Sequence, residues 1–226
     1  MTTVTLAPLD LAALLCSRVC HDVISPVGAI VNGLEVLDGE QDSEMRDIAM
    51  DLIKKSAVSA SARLQFCRLA FGAAGSLTAS IDTGDAENVA RGLLANERTA
   101  LDWKALRRLL PKNIVKLVLN LCLIGSASIP RGGVLTVDLD GEGDAPTIRI
   151  QARGTNAKLP PAAARFFSGE TVETIDAHSI QHYYAALLAE QCGMAVATET
   201  GPDFVSLTAS PAERREEEPA AAAAFP

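Results

Sequence analysis

The chain has 226 residues, a net charge of −8, 48% apolar residues and only 4% aromatic residues. That length holds one large domain or two small ones, around an aliphatic core that favours helix packing. The acidity excludes a nucleic-acid backbone as the main partner, because phosphates require a basic face.

Cys16, Cys20, Cys67, Cys122 and Cys192 form no CxxC pair and no metal-like spacing with the three histidines. Four of them fall in apolar helical patterns, so buried free thiols in a reducing compartment are expected. No basic stretch followed by an apolar run and a cleavage site opens the chain, and 114–129 is too short and polar to span a bilayer. The expected location is cytoplasmic, with neither a membrane nor a nucleic acid as partner.

In chain order, 1–9 reads as a flexible start. A helix is expected from about Asp10 to Leu37, with Ala12, Cys16, Val19, Val23, Pro26, Ile30, Leu34 and Leu37 on one stripe. The stripe stays in phase across Pro26, which predicts a continuous, kinked helix despite the lost backbone donor. A turn at 38–42 and a cap at Asp42 or Ser43 lead to a second helix ending near Phe71, with Met45, Ala49, Leu52, Ser56, Ala60, Leu64 and Cys67 on its stripe. Two long helices joined by a short loop make an antiparallel hairpin, and two copies can bury both stripes as a four-helix bundle. A homodimer is therefore expected over 10–75.

Glycines in 72–76 mark a boundary. Beyond it, a short helix capped by Asp85, a strand over 100–103 and an apolar helix opened by Pro111 are expected. Strands at 134–139 and 147–152 should pair through the 141–146 loop. The stretch 156–174 reads as irregular. A helix capped by Asp176 or Ser179 and ended by Gly193 precedes a last hairpin, 194–200 with 203–208. Trp103, Tyr183 and Tyr184 read as core. Together, 76–209 forms an α/β sandwich with mostly antiparallel strands and helices on one face. The charged, alanine-rich stretch 210–226 reads as a solvated tail.

His21 lies opposite the apolar stripe, on an outer strip with Leu14, Arg18, Ser25, Gly28 and Asn32. The core does not need it there, which marks it as a candidate nucleophile. His21, Asp22 and Pro26 resemble the phosphoacceptor box of dimeric sensor histidine kinases, with Ser25 where Thr or Asn is common. The second region resembles their ATP-binding domain in degenerate form. Asn120 lies on an apolar helix before Pro130-Arg131-Gly132-Gly133, but Ile124 stands where a magnesium-binding asparagine is expected. Ala152-Arg153-Gly154-Thr155-Asn156 lacks the adenine-reading aspartate, and 178–181 lacks the phosphate-loop glycines. This combination is similar to the dimeric histidine phosphotransferases of the ChpT family, known from bacterial cell-cycle phosphorelays. Leu15-Cys16-Ser17-Arg18-Val19-Cys20-His21-Asp22, Leu64-Gln65-Phe66 and Ile129-Pro130-Arg131-Gly132-Gly133 carry the likeness.

The fold class this implies is a helical hairpin that dimerises as a four-helix bundle, followed by a degenerate ATPase-like (Bergerat-type) α/β sandwich. The implied activity is phosphoryl relay between receiver aspartates through His21, without ATP. No cofactor of its own is implied; Mg²⁺ belongs to the receiver. Implied partners are a second copy of the chain, the receiver of a hybrid kinase and response regulators. Asp22 is expected to orient the His21 ring, or to be a solvated helix acid. Arg18 either screens phosphoryl charge or makes a surface salt bridge, and Ser25 could hydrogen-bond the phosphoryl group. Leu14, Gly28 and Asn32 are expected to meet the receiver, although Gly28 could equally be a tolerated helix glycine. His178 and His182 read as structural or surface histidines. An ATP-dependent kinase and a non-catalytic receiver adaptor are the alternatives.

Overall fold

The protein is described here by a computed structural model covering residues 5–39, 42–72, 79–170 and 174–212. Helix α1 (Pro8–Gly39) runs unbroken through Pro26, as the phase of its apolar stripe requires. Asp38 and Gly39, expected in the turn, belong to it. Asp42 caps α2 (Ser43–Ala70) by accepting from the Glu44 amide at 2.9 Å. The two helices lie along each other as the expected hairpin.

The seam inside one hairpin is built from small residues. Pro26, Gly33, Ala49, Ser56 and Ala60 are buried. A Cβ on Gly33 would come within 2.6 Å of Ile53 Cγ1, so glycine sets the closeness of the helices there. Larger members of the expected stripes, Leu34, Met45, Leu52 and Leu64, remain 43–51% exposed in the protomer. The sequence stripe thus merges two surfaces, one closed within the hairpin and one left open.

Three short elements follow: β1 (Ser80–Asp82), α3 (Thr83–Leu94) and β2 (Thr99–Trp103). The cap of α3 is Asp82, not Asp85; its carboxylate accepts from the Gly84 amide at 2.8 Å. Strand β3 (Leu109–Pro111) pairs with β1 in a two-stranded sheet that the sequence did not suggest. Next come α4 (Lys112–Ala127), β4 (Gly133–Asp140) and β5 (Thr147–Arg153). Within the stretch expected to be irregular, 156–174, a short helix α5 (Pro161–Ser168) forms, while 171–173 lie outside the described residues. Pro161 sits at the start of that helix, where its missing N–H costs nothing, and Gly169 closes it in the left-handed region. The chain ends with α6 (Ile180–Gln191), β6 (Met194–Gly201) and β7 (Phe204–Pro211).

The main sheet has the order β2-β4-β5-β7-β6, with β2 and β4 parallel and the other neighbours antiparallel. Leu135, Val137, Ile148, Ile150, Val205 and Leu207 alternate onto one buried face. Helix α4 lies on that face, and Leu117, Leu119, Leu121 and Ile124 on it are fully buried. The expectations for 73–76, for Glu40 and Gln41, and for the tail from 213 onward lie outside the described residues.

The Gly132-Gly133 turn starts strand β4. Gly132 has φ +90°, and an added Cβ would sit 2.3 Å from the Arg98 carbonyl oxygen; at Gly133 the corresponding approach, to the Arg153 oxygen, is 2.0 Å. These glycines let the turn close against neighbouring backbone beside the parallel pairing of Thr99 with Gly133. We expect Gly132→Ala to cost at least about 2 kcal/mol, read as a lowered urea midpoint. An unchanged midpoint would refute this role for the turn.

Candidate functional site

Two features of the fold bring the site together. A second apolar cluster, Phe166, Ile180 and Tyr183 with Leu6, Leu11, Leu14 and Leu15, seats the start of α1 on α5 and α6. The Leu6 amide donates to the Tyr183 hydroxyl at 3.2 Å. Leu14, expected on the receiver surface, is therefore half-buried within the chain. This packing fixes the height of His21 relative to the α/β part.

The His21 side chain is 71% exposed, on the outer side of α1 as expected. Asp22 bridges its neighbours: Arg18 Nε donates to Asp22 Oδ2 at 3.0 Å, while Asp22 Oδ1 lies 3.5 Å from His21 Nδ1. The carboxylate thereby favours a proton on Nδ1 and leaves Nε2 with a free lone pair. Arg18 is one turn before Asp22, so the helix itself sets this pair. Ser25 and Asn32 are exposed, and Gly28 is half-buried with open space where a Cβ would stand. By helical rise, Asn32 lies about 16 Å from His21 and Gly28 about 10 Å, so these two can touch a docked protein but not the reacting atoms.

Behind Asp22 lies a small cavity lined by Arg18, Arg63, Phe66, Cys67 and Phe71. Burial, then the Asp22 charge, pushes the Cys67 thiol up to about 11, so it stays protonated beside the site. Cys67 and Cys122 are buried as expected, whereas Cys16 and Cys20 are exposed in the protomer, a correction to the expected burial of the helical thiols. Tyr183 is buried in the second apolar cluster, and Trp103 and Tyr184 pack half-buried against the main core.

Sequence reasoning missed the other side of the site. The His178 ring stands edge-on to His21, with ring centroids 6.1 Å apart. Its backbone is held by a turn in which Asp176 Oδ1 accepts from the His178 amide at 3.1 Å, the Ser179 amide at 2.8 Å and the Ser179 hydroxyl at 2.7 Å. The Ser179 hydroxyl first, then the two amides, hold the Asp176 carboxyl below its usual range. One turn on, both ring nitrogens of His182 are buried without a hydrogen-bond partner. The only signal in the sequence was the i, i+4 spacing of His178 and His182, which by itself says nothing of His21.

Burial, then the Arg18 charge, pushes His182 below its ordinary value of 6.5. The unfolded chain therefore takes up a proton on this ring before the folded chain does. Stability is full above the unfolded value and falls as pH drops through 6.5 toward the lower folded value. We expect His182→Leu to flatten this acid limb between pH 7.5 and pH 5.5 in urea unfolding; a limb as steep as wild type would sink it.

A helical hairpin displaying a histidine beside a one-sided mixed sheet is the arrangement found here, and the comparisons give its class as a phosphotransferase. A family profile described as "Histidine phosphotransferase C-terminal domain" matches residues 83–203. The chain is 54% identical to the protein phosphotransferase ChpT of Brucella abortus (strain 2308), over 89% of this chain and 96% of that one. A solved bacterial phosphotransferase superposes with a TM-score of 0.87 at 50% identity, covering 93% of this chain and all of the other. The histidine kinase AdeS of Acinetobacter baumannii gives a TM-score of 0.46 at 7% identity, over 86% of this chain and 98% of that one. The chain belongs to the ChpT family of histidine phosphotransferases.

Proposed function

We propose that the chain relays a phosphoryl group between receiver-domain aspartates through His21, as a homodimer and without using ATP. The observation that carries this is the exposed His21 ring with Asp22 at its Nδ1 edge. In the forward step the Nε2 lone pair attacks phosphorus in line. The N–P bond forms as the bond to the donor's aspartyl oxygen breaks, and the electron pair leaves on that carboxylate. The product ring keeps its Nδ1 proton and is cationic, which the Asp22 carboxylate favours. In the second step an acceptor aspartate attacks phosphorus, and the N–P pair returns to the ring. Arg18 holds Asp22 in place, and Ser25, one turn after His21, can meet the phosphoryl group. The Mg²⁺ that offsets phosphoryl charge comes with the receiver. The donor would be the receiver of a hybrid kinase and the acceptors response regulators; Gly28 and Asn32 would lie under the docked receiver.

Several contacts support the absence of ATP chemistry. Asn120 is fully buried and spends its amide on the chain itself, donating to the Ala70 oxygen at 3.2 Å and the Lys116 oxygen at 2.9 Å. From α6, the Gln181 side-chain amide donates to the Asn120 backbone carbonyl at 3.0 Å. Ile124 is fully buried in the aliphatic core, and Ala152 is buried within β5. The region that resembles a nucleotide site therefore joins α2, α4 and α6. We expect Ile124→Asn to destabilise by about 3 kcal/mol and to confer no ATP binding, since the amide enters the core rather than a cleft. A nucleotide-induced rise in Tm of that variant would refute it.

By length and mean hydropathy alone, α1 could cross a membrane. Its mid-helix Arg18–Asp22 pair and its packing along α2 favour a bundle instead. The deciding experiment offers the wild-type chain labelled ATP in one arm and an aspartate-phosphorylated receiver in the other. Label is expected only from the receiver. Robust labelling from ATP would replace this reading with a kinase, and no labelling from either would favour an adaptor.

A further inference from the structure

We propose that His178 is a catalytic residue of the phosphotransfer site, a donor that binds the phosphoryl oxygens while the group sits on His21. The inference rests on the reading of His21 as the phosphoacceptor. It starts from placement. The chain has three histidines, and two of them, His21 and His178, come together although they belong to two different parts of the fold. His178 stands 6.1 Å from His21 by ring centroid. His182 follows four residues on, buried and near enough to Arg18 to feel its charge. Nothing in the core requires this, for His178 is exposed. Its place is instead set by the Asp176 turn and by the seating of α1 on α6.

The chemistry fits that place. A phosphoryl group in transfer carries charge on three equatorial oxygens, and positioned donors or cations stabilise it. Asp22 occupies the Nδ1 side of His21 and is itself negative, so it cannot serve those oxygens. Arg18 gives its Nε to Asp22, which ties its guanidinium to the Asp22 carboxylate. An imidazole of His178, with an N–H to give and no negative charge, adds a donor held independently of that pair. Atoms balance as in the transfer above: His178 gives a hydrogen bond and neither gains nor loses a proton overall. The sheet domain then completes the site of the hairpin in the same chain.

The test is single-turnover transfer from an aspartate-phosphorylated receiver to the full-length chain at increasing chain concentration. The variants are His178→Phe, which keeps a flat ring without a donor, His178→Lys, which restores a donor, and His21→Ala. We expect His178→Phe to lower the saturating rate roughly tenfold to a hundredfold, with the half-saturating concentration unchanged. His178→Lys should recover most of that loss. An undiminished rate in His178→Phe overturns the proposal, as does a shift in half-saturation alone or a His178→Lys as slow as the phenylalanine variant. His21→Ala separates the two ideas: no label on it leaves the phosphoacceptor standing whatever His178 does, and retained label removes both.

Discussion

His21→Ala is expected to reduce label uptake from a phosphorylated receiver to background, a loss of roughly a thousandfold or more in rate. The nucleophile is the one group whose removal leaves no bond to form. Neither nearby imidazole is placed to substitute. The His178 ring centroid is 6.1 Å from that of His21, away from the position where a receiver would present its phosphoryl group to His21 Nε2, and the nitrogens of His182 are buried. The substitution leaves the fold intact, because the His21 side chain is 71% exposed and outside both apolar clusters. Tm and oligomeric state should therefore match wild type. Asp22→Asn should slow transfer without abolishing it, since the ring loses its tautomer bias but keeps its lone pair. Label retained by His21→Ala at the wild-type level would move the nucleophile to another side chain.

Ile48→Glu is expected to convert the proposed dimer to monomers, with the dissociation constant raised about a thousandfold. The reason is an unpartnered face. Ile24, Val27, Val31 and Leu34 on α1 and Met45, Ile48 and Leu52 on α2 are all 43–70% exposed in the single chain. Their spacing by threes and fours places each row on one side of its helix. Such a surface exceeds what scattered apolar residues explain, and a second hairpin on a two-fold axis would cover it as a four-helix bundle. Each substitution enters such an interface twice. It removes about 2 kcal/mol of burial per copy and also places a carboxylate there. Ile48 is 57% exposed in the protomer, so the hairpin should still fold. Sedimentation reads the outcome, with Leu106→Glu as control, since Leu106 is 82% exposed and lies in the α/β part between β2 and β3. A stable Ile48→Glu dimer would exclude this face.

Legibility differed with element length. The long helices were readable because an apolar period repeats many times within each, and it carried the reading through Pro26. Strands β4, β5, β6 and β7 were readable by alternation and turn glycines. The pair β1 and β3 was not, since strands of three residues hold no period. Helix α5 was hidden because adjacent prolines read as a break, whereas the second one opens the helix. Asp85, the cap expected from the sequence, lies three residues past the true one, because Asp82 sits at a strand end where a cap looks like strand.

By itself the sequence determined the hairpin, the outward direction of His21 and the one-sided sheet, since periodicity and helical phase are properties of a local stretch. It also determined that Asp22 and Arg18 flank the histidine, because helical geometry sets neighbours within a turn. Only the tertiary structure decided which apolar residues close the hairpin and which stay open, because Gly33 and the small residues of α2 let the helices approach along a seam the stripe does not single out. Only the tertiary structure brought His178 to His21. That proximity comes from packing the start of α1 on α6, a contact between distant parts of the chain that no local pattern encodes.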